Sequence, residues 1–428
     1  MMSINLIEKY NNHNKESVKW GKLAPWIVMF LLLPPIVGLP VIIYHIWNNK
    51  TRTKTDYYAF MFCIAIYMGA INATKIPGGD QMQYHMAYLN VPIQGFIGSL
   101  TYIYGYNAFE GGATGLSGEF MNGVYNYIGY YLTFGYYPLF AALLTFADYM
   151  LIFAGLYNMC LSMKFPHKPI VCGVLILSFF YLFFNYTLQI QKQFLAQCIM
   201  MYALGLYAAT GKRTLKIWLI VLCAVFTHAS TYFFVPFFVF KQLRDRLTKR
   251  WLLFIALILV AFIIYGPSIV SEVSSDNNSS VVGYGAQRFA DLEGQIDLTS
   301  GLQTSQVIVI AVPMFLIVFR QLWIKRHCFI DSSQAFILNV TLFLLLAITS
   351  MYSKPLAQYR YFMMLLAFMP FVYPFISTNI KNRNSFLCII SVVMVVWFYV
   401  AFTYIPWHYA DEWKIIAYPP AALISIGY

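Results

Sequence analysis

Long apolar runs recur along the whole chain, and several approach or exceed the roughly 20 residues that a helix needs to cross a bilayer. The runs are 23–47, 57–74, 251–265, 307–323, 335–351 and 386–404. Lipid offers backbone groups no hydrogen-bond partner, and the runs lack the alternating pattern of a membrane β-barrel. Hydrophobic residues make up 60% of the 428-residue chain and charged residues only 10%, which excludes a soluble globular fold. The sequence therefore predicts an all-α, polytopic transmembrane helix bundle that forms a single integral membrane domain over residues 1–428.

Basic residues give the chain a net charge of +12, and they cluster in short loops beside the apolar runs. The clusters are Lys50/Arg52/Lys54, Lys164/Lys168, Lys212/Arg213/Lys216, Arg244/Arg246/Lys249/Arg250, Lys325/Arg326 and Lys381/Arg383. Such loops face the cytoplasm in membrane proteins, so the charge indicates topology and not a nucleic-acid partner. With the clusters placed inside, the chain has about 11–12 membrane segments.

Two long segments then fall on the outer face. The first, 75–136, follows the second helix and carries a single basic residue, Lys75. We expect it to form a long loop with interfacial helices. The second outer loop, 268–303, carries only Arg288.

Two apolar stretches do not fit a simple crossing. As one helix, 215–240 would place its two flanking basic clusters on opposite sides, whereas a hairpin of two half-helices keeps both in the cytoplasm. We therefore predict the hairpin, with His228 near its tip. The first run, 23–47, also has basic residues on both flanks, and three prolines interrupt it. A kinked crossing and a segment that fails to cross both stay open for that run.

The first outer loop contains the first candidate site residues. Two glycines that allow a tight turn precede Asp80, and Asp80, Tyr84 and Tyr88 then recur every four residues. This spacing predicts one face of a short helix. Asp80 is positioned either only to cap that helix or to act in catalysis as well.

Glu119 lies farther along the same loop, at the mouth of the predicted bundle, where a carboxylate is a candidate general base. The tyrosines that follow form either an interfacial aromatic belt or a platform for sugar rings. They are Tyr125, Tyr127, Tyr130, Tyr131, Tyr136 and Tyr137.

Several polar residues interrupt the later apolar segments. Lys192 lies at the outer end of a helix, and His228 and Ser230 lie deep in the predicted hairpin. Ionisable residues inside membrane segments are candidates for function, although a hydrogen-bonded structural histidine is the alternative for His228.

A short outer loop breaks the charge pattern, because it carries Lys354 and Arg360. An anionic partner such as phosphate explains a cation kept on this side, and the planar guanidinium suits phosphate best. Snorkelling to the interface is the alternative, and it explains Lys354 better than Arg360. No phosphate-binding loop, zinc pattern or nucleophile elbow occurs in the sequence, so we predict no metal and no cofactor.

The ordered set of these motifs resembles the EpsG-like branch of the Wzy-type polysaccharide polymerases, which includes O-antigen polymerases. It consists of Gly-Gly-Asp80-x3-Tyr84-x3-Tyr88, Glu119-Phe120, Gln191-Lys192-Gln193-x2-Ala196, Phe226-x-His228-x-Ser230-x5-Pro236 and Arg360-Tyr361. The resemblance covers roughly residues 57–405. One departure is Lys192, where that family usually has arginine.

The resemblance implies a GT-C-like helical fold and metal-independent chemistry in the bacterial inner membrane, with the active site on the periplasmic side. The implied substrate is an oligosaccharide repeat unit on undecaprenyl pyrophosphate, together with membrane lipid. The implied reaction transfers the growing chain from its lipid pyrophosphate to a sugar hydroxyl of the next unit. A separate chain-length regulator is an expected partner.

This chemistry assigns roles to the candidate residues. Arg360 and Lys192, with Lys354 in support, are expected to neutralise the leaving pyrophosphate. Asp80, Glu119 and His228 are candidate bases, in that order, and Tyr84, Tyr88 and Ser230 are candidate substrate contacts. A flippase or other transporter of lipid-linked oligosaccharides and an O-antigen ligase remain alternatives, since the sequence does not separate them.

Overall fold

The computed structural model describes residues 17–49, 52–101, 119–165, 167–255, 257, 300–325, 331–351, 355–404, 409 and 412–427. Every regular element among these residues is helical, which confirms the predicted all-α class. The helices are α1 (Trp20–Leu32), α2 (Pro35–Asn48), α3 (Lys54–Ala73), α4 (Asp80–Leu89), α5 (Val91–Thr101), α6 (Met121–Leu132), α7 (Tyr137–Ser162), α8 (Lys168–Phe179), α9 (Tyr181–Gln189), α10 (Gln191–Thr210), α11 (Leu215–Thr227), α12 (Val235–Val239), α13 (Ser300–Phe319), α14 (Ser332–Ser350), α15 (Pro355–Leu366), α16 (Met369–Val372), α17 (Ile380–Tyr404), α18 (Glu412–Ala417) and α19 (Pro420–Ser425).

Four helices of the described part are long and apolar enough to cross a membrane. They are Tyr137–Ser162, Val307–Ile324, Ser332–Ser350 and Ile380–Thr403. Two bent pairs raise the number to six if each pair is one span: Lys168–Phe179 with Tyr181–Gln189, bent by 58°, and Gln358–Leu366 with Met369–Ile376, bent by 50°. The chain is therefore a multi-pass membrane protein. Most of the apolar run 251–265 and of the loop 268–303 lies outside the described residues.

The centre of the bundle is formed by α7, which packs against α3 on one side and α10 on the other. Small residues allow the close approach, because a Cβ on Gly155 would lie 2.6 Å from the carbonyl oxygen of Met201. A buried hydrogen bond of 3.0 Å between the Asn72 amide and the Thr145 hydroxyl also joins α3 to α7. Membrane helices commonly associate through small residues and side-chain hydrogen bonds of this kind.

The first apolar run folds back on itself. It breaks between α1 and α2 at Leu33 and Pro34, and the rings of Trp26 and His45 lie 4.4 Å apart, centroid to centroid. At the open end, the Lys19 backbone N–H donates a hydrogen bond of 3.1 Å to the Thr55 hydroxyl. The two ends of the run therefore lie close together, which is the arrangement expected of a segment that does not cross.

The segment 215–240 also returns to the side where it begins. Its helix α11 ends at Thr227, a 3-10 helix follows over Ala229–Phe234, and the rings of Trp218 and Phe238 lie 6.3 Å apart. Just beyond it, Arg244 Nη2 donates a hydrogen bond of 3.3 Å to the carbonyl of Ala208, at the end of α10. The two basic clusters thus lie together, and the predicted hairpin with His228 at its tip is confirmed.

Candidate active site

Three polar side chains that are far apart in sequence meet beside the tip of this hairpin. Lys192 Nζ lies 2.8 Å from Glu119 Oε2, and His228 Nε2 lies 3.7 Å from Glu119 Oε1. The backbone N–H of Ala229 donates a further hydrogen bond of 3.2 Å to Glu119 Oε1. We call Glu119, Lys192 and His228 the buried triad, because their side chains are only 8–15% exposed.

Two breaks in the helices present these side chains. The chain leaves helical geometry at Ile190 (φ −115°, ψ 47°), so that α10 begins anew and Lys192 lies in its first turn. The chain leaves helical geometry a second time at His228 (φ −158°, ψ 132°), between α11 and the 3-10 helix. Non-helical backbone is tolerated in a membrane protein only where protein or a polar cavity satisfies it, and here the triad and its neighbours do so.

The hydrogen bonds of His228 identify its tautomer. The backbone N–H of Ser230 can only donate, and it donates to His228 Nδ1 over 3.2 Å. The proton of the neutral ring therefore sits on Nε2, on the side of Glu119. The Ser230 hydroxyl lies 2.7 Å from the same Nδ1, so Ser230 serves the histidine from both its backbone and its side chain.

The electrostatics of Glu119 reflect these contacts. Burial by itself would raise the pKa of the carboxyl. The electrostatic effects of His228 and Lys192, together with the hydrogen bonds from Lys192 and Ala229, outweigh burial and lower the pKa of Glu119 to about 2. Glu119 is therefore an ionised hydrogen-bond acceptor, and a weak base, at neutral pH.

Arg360 lies on α15, which contacts the first turn of α10. The Gln193 side-chain amide donates a hydrogen bond of 3.0 Å to the Arg360 carbonyl, which ties α15 to the first turn of α10. The ring of Tyr361 lies 5.6 Å from that of Phe233 in the hairpin. Among the described residues, the half-buried guanidinium of Arg360 forms no hydrogen bond or ion pair.

Asp80 is exposed at the first position of α4. The residue at the cap position is Gly79, with φ +57°, and no side chain caps the helix, so the alternative that Asp80 is only a cap is wrong. A Cβ on Gly79 would lie 2.9 Å from Gln189 Nε2, which places the start of α4 against the end of α9. Gln189 precedes Lys192 by three residues, so the start of α4 lies near the first turn of α10.

Tyr88 is a packing residue, which corrects its assignment as a substrate contact. Its ring is 0% exposed and stacks on Phe140 at a centroid distance of 4.6 Å. Its hydroxyl pairs with that of Thr133 at 2.5 Å, so neither ring face nor hydroxyl is available to a sugar. Tyr84 is also buried, at 7% exposure. The short helix was predicted correctly, and at its start Asp80 is exposed whereas the two tyrosines are buried.

A sequence profile of the EpsG family matches residues 97–415, which is more than half of the chain. The chain belongs to the EpsG family. It is a family of Wzy-like polymerases and EpsG-type glycosyltransferases, so membership indicates a membrane glycosyltransferase of the polysaccharide-polymerase type. No curated protein and no solved structure matches the chain.

The EpsG match contains the triad, Ser230 and Arg360, whereas Asp80, Tyr84 and Tyr88 precede it. It also contains Lys354, which lies outside the described residues. In the described part of the chain, no three His, Cys, Asp or Glu side chains form a group that could hold a metal ion.

Sequence reasoning assigned no role to Gln193 and Gln197. Their amides donate to the carbonyls of Arg360 and Met363, at 3.0 and 3.1 Å, and so align α15 along α10. The signal was present, because two glutamines four residues apart in an apolar helix must share one polar face.

Proposed function

We propose that this EpsG-family protein polymerises oligosaccharide repeat units carried on undecaprenyl pyrophosphate, for an O-antigen or a related surface polysaccharide. The growing chain leaves its lipid pyrophosphate and joins a sugar hydroxyl of the next unit. The site would face the periplasm, in an inner-membrane protein of about 11–12 segments with a GT-C-like fold. The observation that carries the proposal is that Gln193, the neighbour of Lys192, holds the backbone of Arg360, whose guanidinium forms no hydrogen bond or ion pair among the described residues.

The leaving pyrophosphate needs a cationic side chain that is not already paired with a carboxylate. Lys192 is paired with a carboxylate at 2.8 Å, so most of its charge is already compensated. Arg360 keeps its full charge and presents a planar fork of donors suited to phosphate oxygens. We therefore assign the pyrophosphate to Arg360 first, with Lys192 and Lys354 in support.

The attacking hydroxyl needs a base with an accessible oxygen. Both oxygens of Glu119 are engaged, and His228 Nδ1 already accepts a backbone hydrogen bond. Asp80 is exposed beside the end of α9, and its carboxylate accepts no hydrogen bond in the described structure. These differences support Asp80 as the base.

The sugars would lie under the segment 75–136, and the lipid would lie against a gap between helices. A chain-length regulator would act as a separate partner.

Gel analysis of surface polysaccharide from a deletion strain tests this function. A polymerase is expected to leave a single repeat unit attached to its acceptor, because transport and ligation still work. Loss of every repeat unit would instead indicate a flippase or a ligase and would overturn the proposal. Restoration of the ladder by the wild-type gene on a plasmid is the control.

A further inference from the structure

We propose that Glu119 and His228 are positioning residues that clamp the hairpin tip to the first turn of α10, and that neither is the catalytic base. The inference rests on the proposed function for its meaning in catalysis. The clamp itself is a structural statement and can be tested without activity.

The clamp joins three separate parts of the chain. Glu119 precedes α6, Lys192 begins α10, and the Ala229 amide belongs to the hairpin tip. One carboxylate receives donors from both other parts, one oxygen for each part. The hairpin tip is thereby fixed to α10. The next residue of α10 after Lys192 is Gln193, which holds the backbone of Arg360 in place.

A second hydrogen bond holds the same side of the hairpin. The Thr227 hydroxyl donates 2.7 Å to the Cys223 carbonyl, so the Tyr125 hydroxyl must donate to Thr227, at 3.2 Å. Tyr125 lies on α6, six residues beyond Glu119. The segment that begins at Glu119 thus forms hydrogen bonds to the hairpin both at its tip and at the end of α11.

The positions of the protons argue against a base in the triad. A base must present a free lone pair towards the substrate hydroxyl within about 2.6–3.2 Å. One oxygen of Glu119 is paired with Lys192, and the other accepts a hydrogen bond from Ala229 and lies 3.7 Å from His228. His228 accepts at Nδ1 from its own chain and carries a proton at Nε2. Each carboxylate oxygen of Glu119 and the Nδ1 of His228 thus already accept an internal hydrogen bond, and the lowered pKa makes Glu119 a weak base.

Removal of one member of a buried ion pair leaves the other charge uncompensated, whereas removal of both members does not. A double-mutant cycle in thermal unfolding therefore reports the clamp directly. We would purify the full chain in detergent as wild type, Glu119→Gln, Lys192→Met and the double variant. The double variant is expected to lower Tm by less than the sum of the two single variants. Additive changes would overturn the clamp, as would two single variants that leave Tm unchanged.

Should Glu119→Gln alone fail to fold, a double variant that does fold shows the coupling, and one that does not fold overturns it. Asp80→Asn is the matched control, because its exposed carboxylate should leave Tm unchanged. The Tm cycle tests the clamp whether or not the protein elongates polysaccharide. A wild-type protein that does not elongate polysaccharide would contradict the proposed function and leave the clamp intact.

The pH dependence of elongation separates a positioning residue from a base. Glu119→Gln is expected to lower the rate by about 100-fold, since small displacements of a site have effects of that size. The acidic limb of its pH profile should match that of the wild type. Loss of that limb in Glu119→Gln would make Glu119 the base and overturn the assignment. Asp80→Asn, which should lose the limb, is the positive control.

Discussion

The side-chain amide of Gln193 donates a hydrogen bond of 3.0 Å to the carbonyl of Arg360. This contact couples the helix that carries Lys192 to the helix that carries Arg360. Four residues farther along, Gln197 makes the same contact with Met363, at 3.1 Å. The two glutamines offer a matched pair of variants, because only the first supports the residue that we place on the pyrophosphate.

Gln193→Leu should therefore reduce elongation more than Gln197→Leu does. Each variant removes one buried hydrogen bond, so each should lose about 1 kcal/mol of stability. Only Gln193→Leu should lower the elongation rate, by between about 10- and 100-fold, since it frees the backbone at Arg360. Rates on a lipid-linked repeat unit and Tm values measure the two effects. Equal loss of activity in both variants would contradict a specific role for Gln193.

Arg360→Ala should lower the elongation rate by about 10²–10³-fold, the usual effect of removing one preorganised donor from a developing charge. Arg360→Lys should recover part of that loss, because it keeps the charge but not the planar fork. Arg213→Ala, at an exposed arginine of a basic loop, is the control. An Arg360→Ala protein that elongates at half the wild-type rate or more would exclude the role.

Asp80→Asn should lower the elongation rate by about 10²–10⁴-fold, which is the range for loss of a general base. The side chain is exposed, so folding should not change. Gln83→Asn alters an exposed residue of the same short helix and serves as the control. If both variants elongate normally, the base lies elsewhere.

The hairpin predicts which loops share a side of the membrane. Lys212→Cys and Arg250→Cys, at exposed positions on its two flanks, should both resist a membrane-impermeant thiol reagent in intact cells. Gln83→Cys should react, because it lies on the face opposite to both flanks in the proposed topology. Replacement of the seven native cysteines beforehand removes background labelling. Opposite behaviour of the two flanking cysteines would show that the segment crosses.

Lys75 predicts a pH dependence of stability above neutral pH. It is 4% exposed, and burial lowers its pKa from 10.5 to about 7. Between pH 7 and pH 10.5 the unfolded chain binds a proton that the folded chain does not. Stability should therefore rise with pH across this window, and the destabilising contribution should be complete below pH 7.

Lys75→Met should remove that rise, and Lys212→Met, at an exposed lysine, should retain it. Tm measured across the window decides between them. A wild-type Tm that falls or stays level as pH increases, with Lys75→Met behaving identically, would contradict the burial effect. The Lys75 ammonium donates to the Asn185 carbonyl over 3.1 Å, so Asn185 is the neighbour to monitor for local change.

Local features of the chain were predictable. The short helix after two glycines exists as α4, and the capping residues Thr53 and Asp56 begin α3 as such a pair should. The hairpin at 215–240 followed from the charges on its flanks alone. Hydropathy and charge act on each segment separately, so these features can be predicted without knowing which helices pack against the segment.

The first apolar run shows where such reasoning stops. Its prolines and charges allowed both a kinked crossing and a return, and the contact between Trp26 and His45 decides for the return. Bends at Phe180 and between α15 and α16 likewise depend on what each helix packs against. Tyr88 shared a helical face with Asp80 in the sequence pattern, yet packing against Phe140 withdraws it into the core.

Composition and charge pattern thus determine that this chain is helical and resides in a membrane, and they predict that its basic loops lie on one side. Each of these properties arises from the transfer of individual segments between water and lipid. The meeting of Glu119 with Lys192, 73 residues away, depends instead on how separate helices pack. Packing also engages both oxygens of Glu119 and gives the Arg360 guanidinium no partner among the described residues. These two observations separate the candidate residues that hold the site from those that we propose to face a substrate.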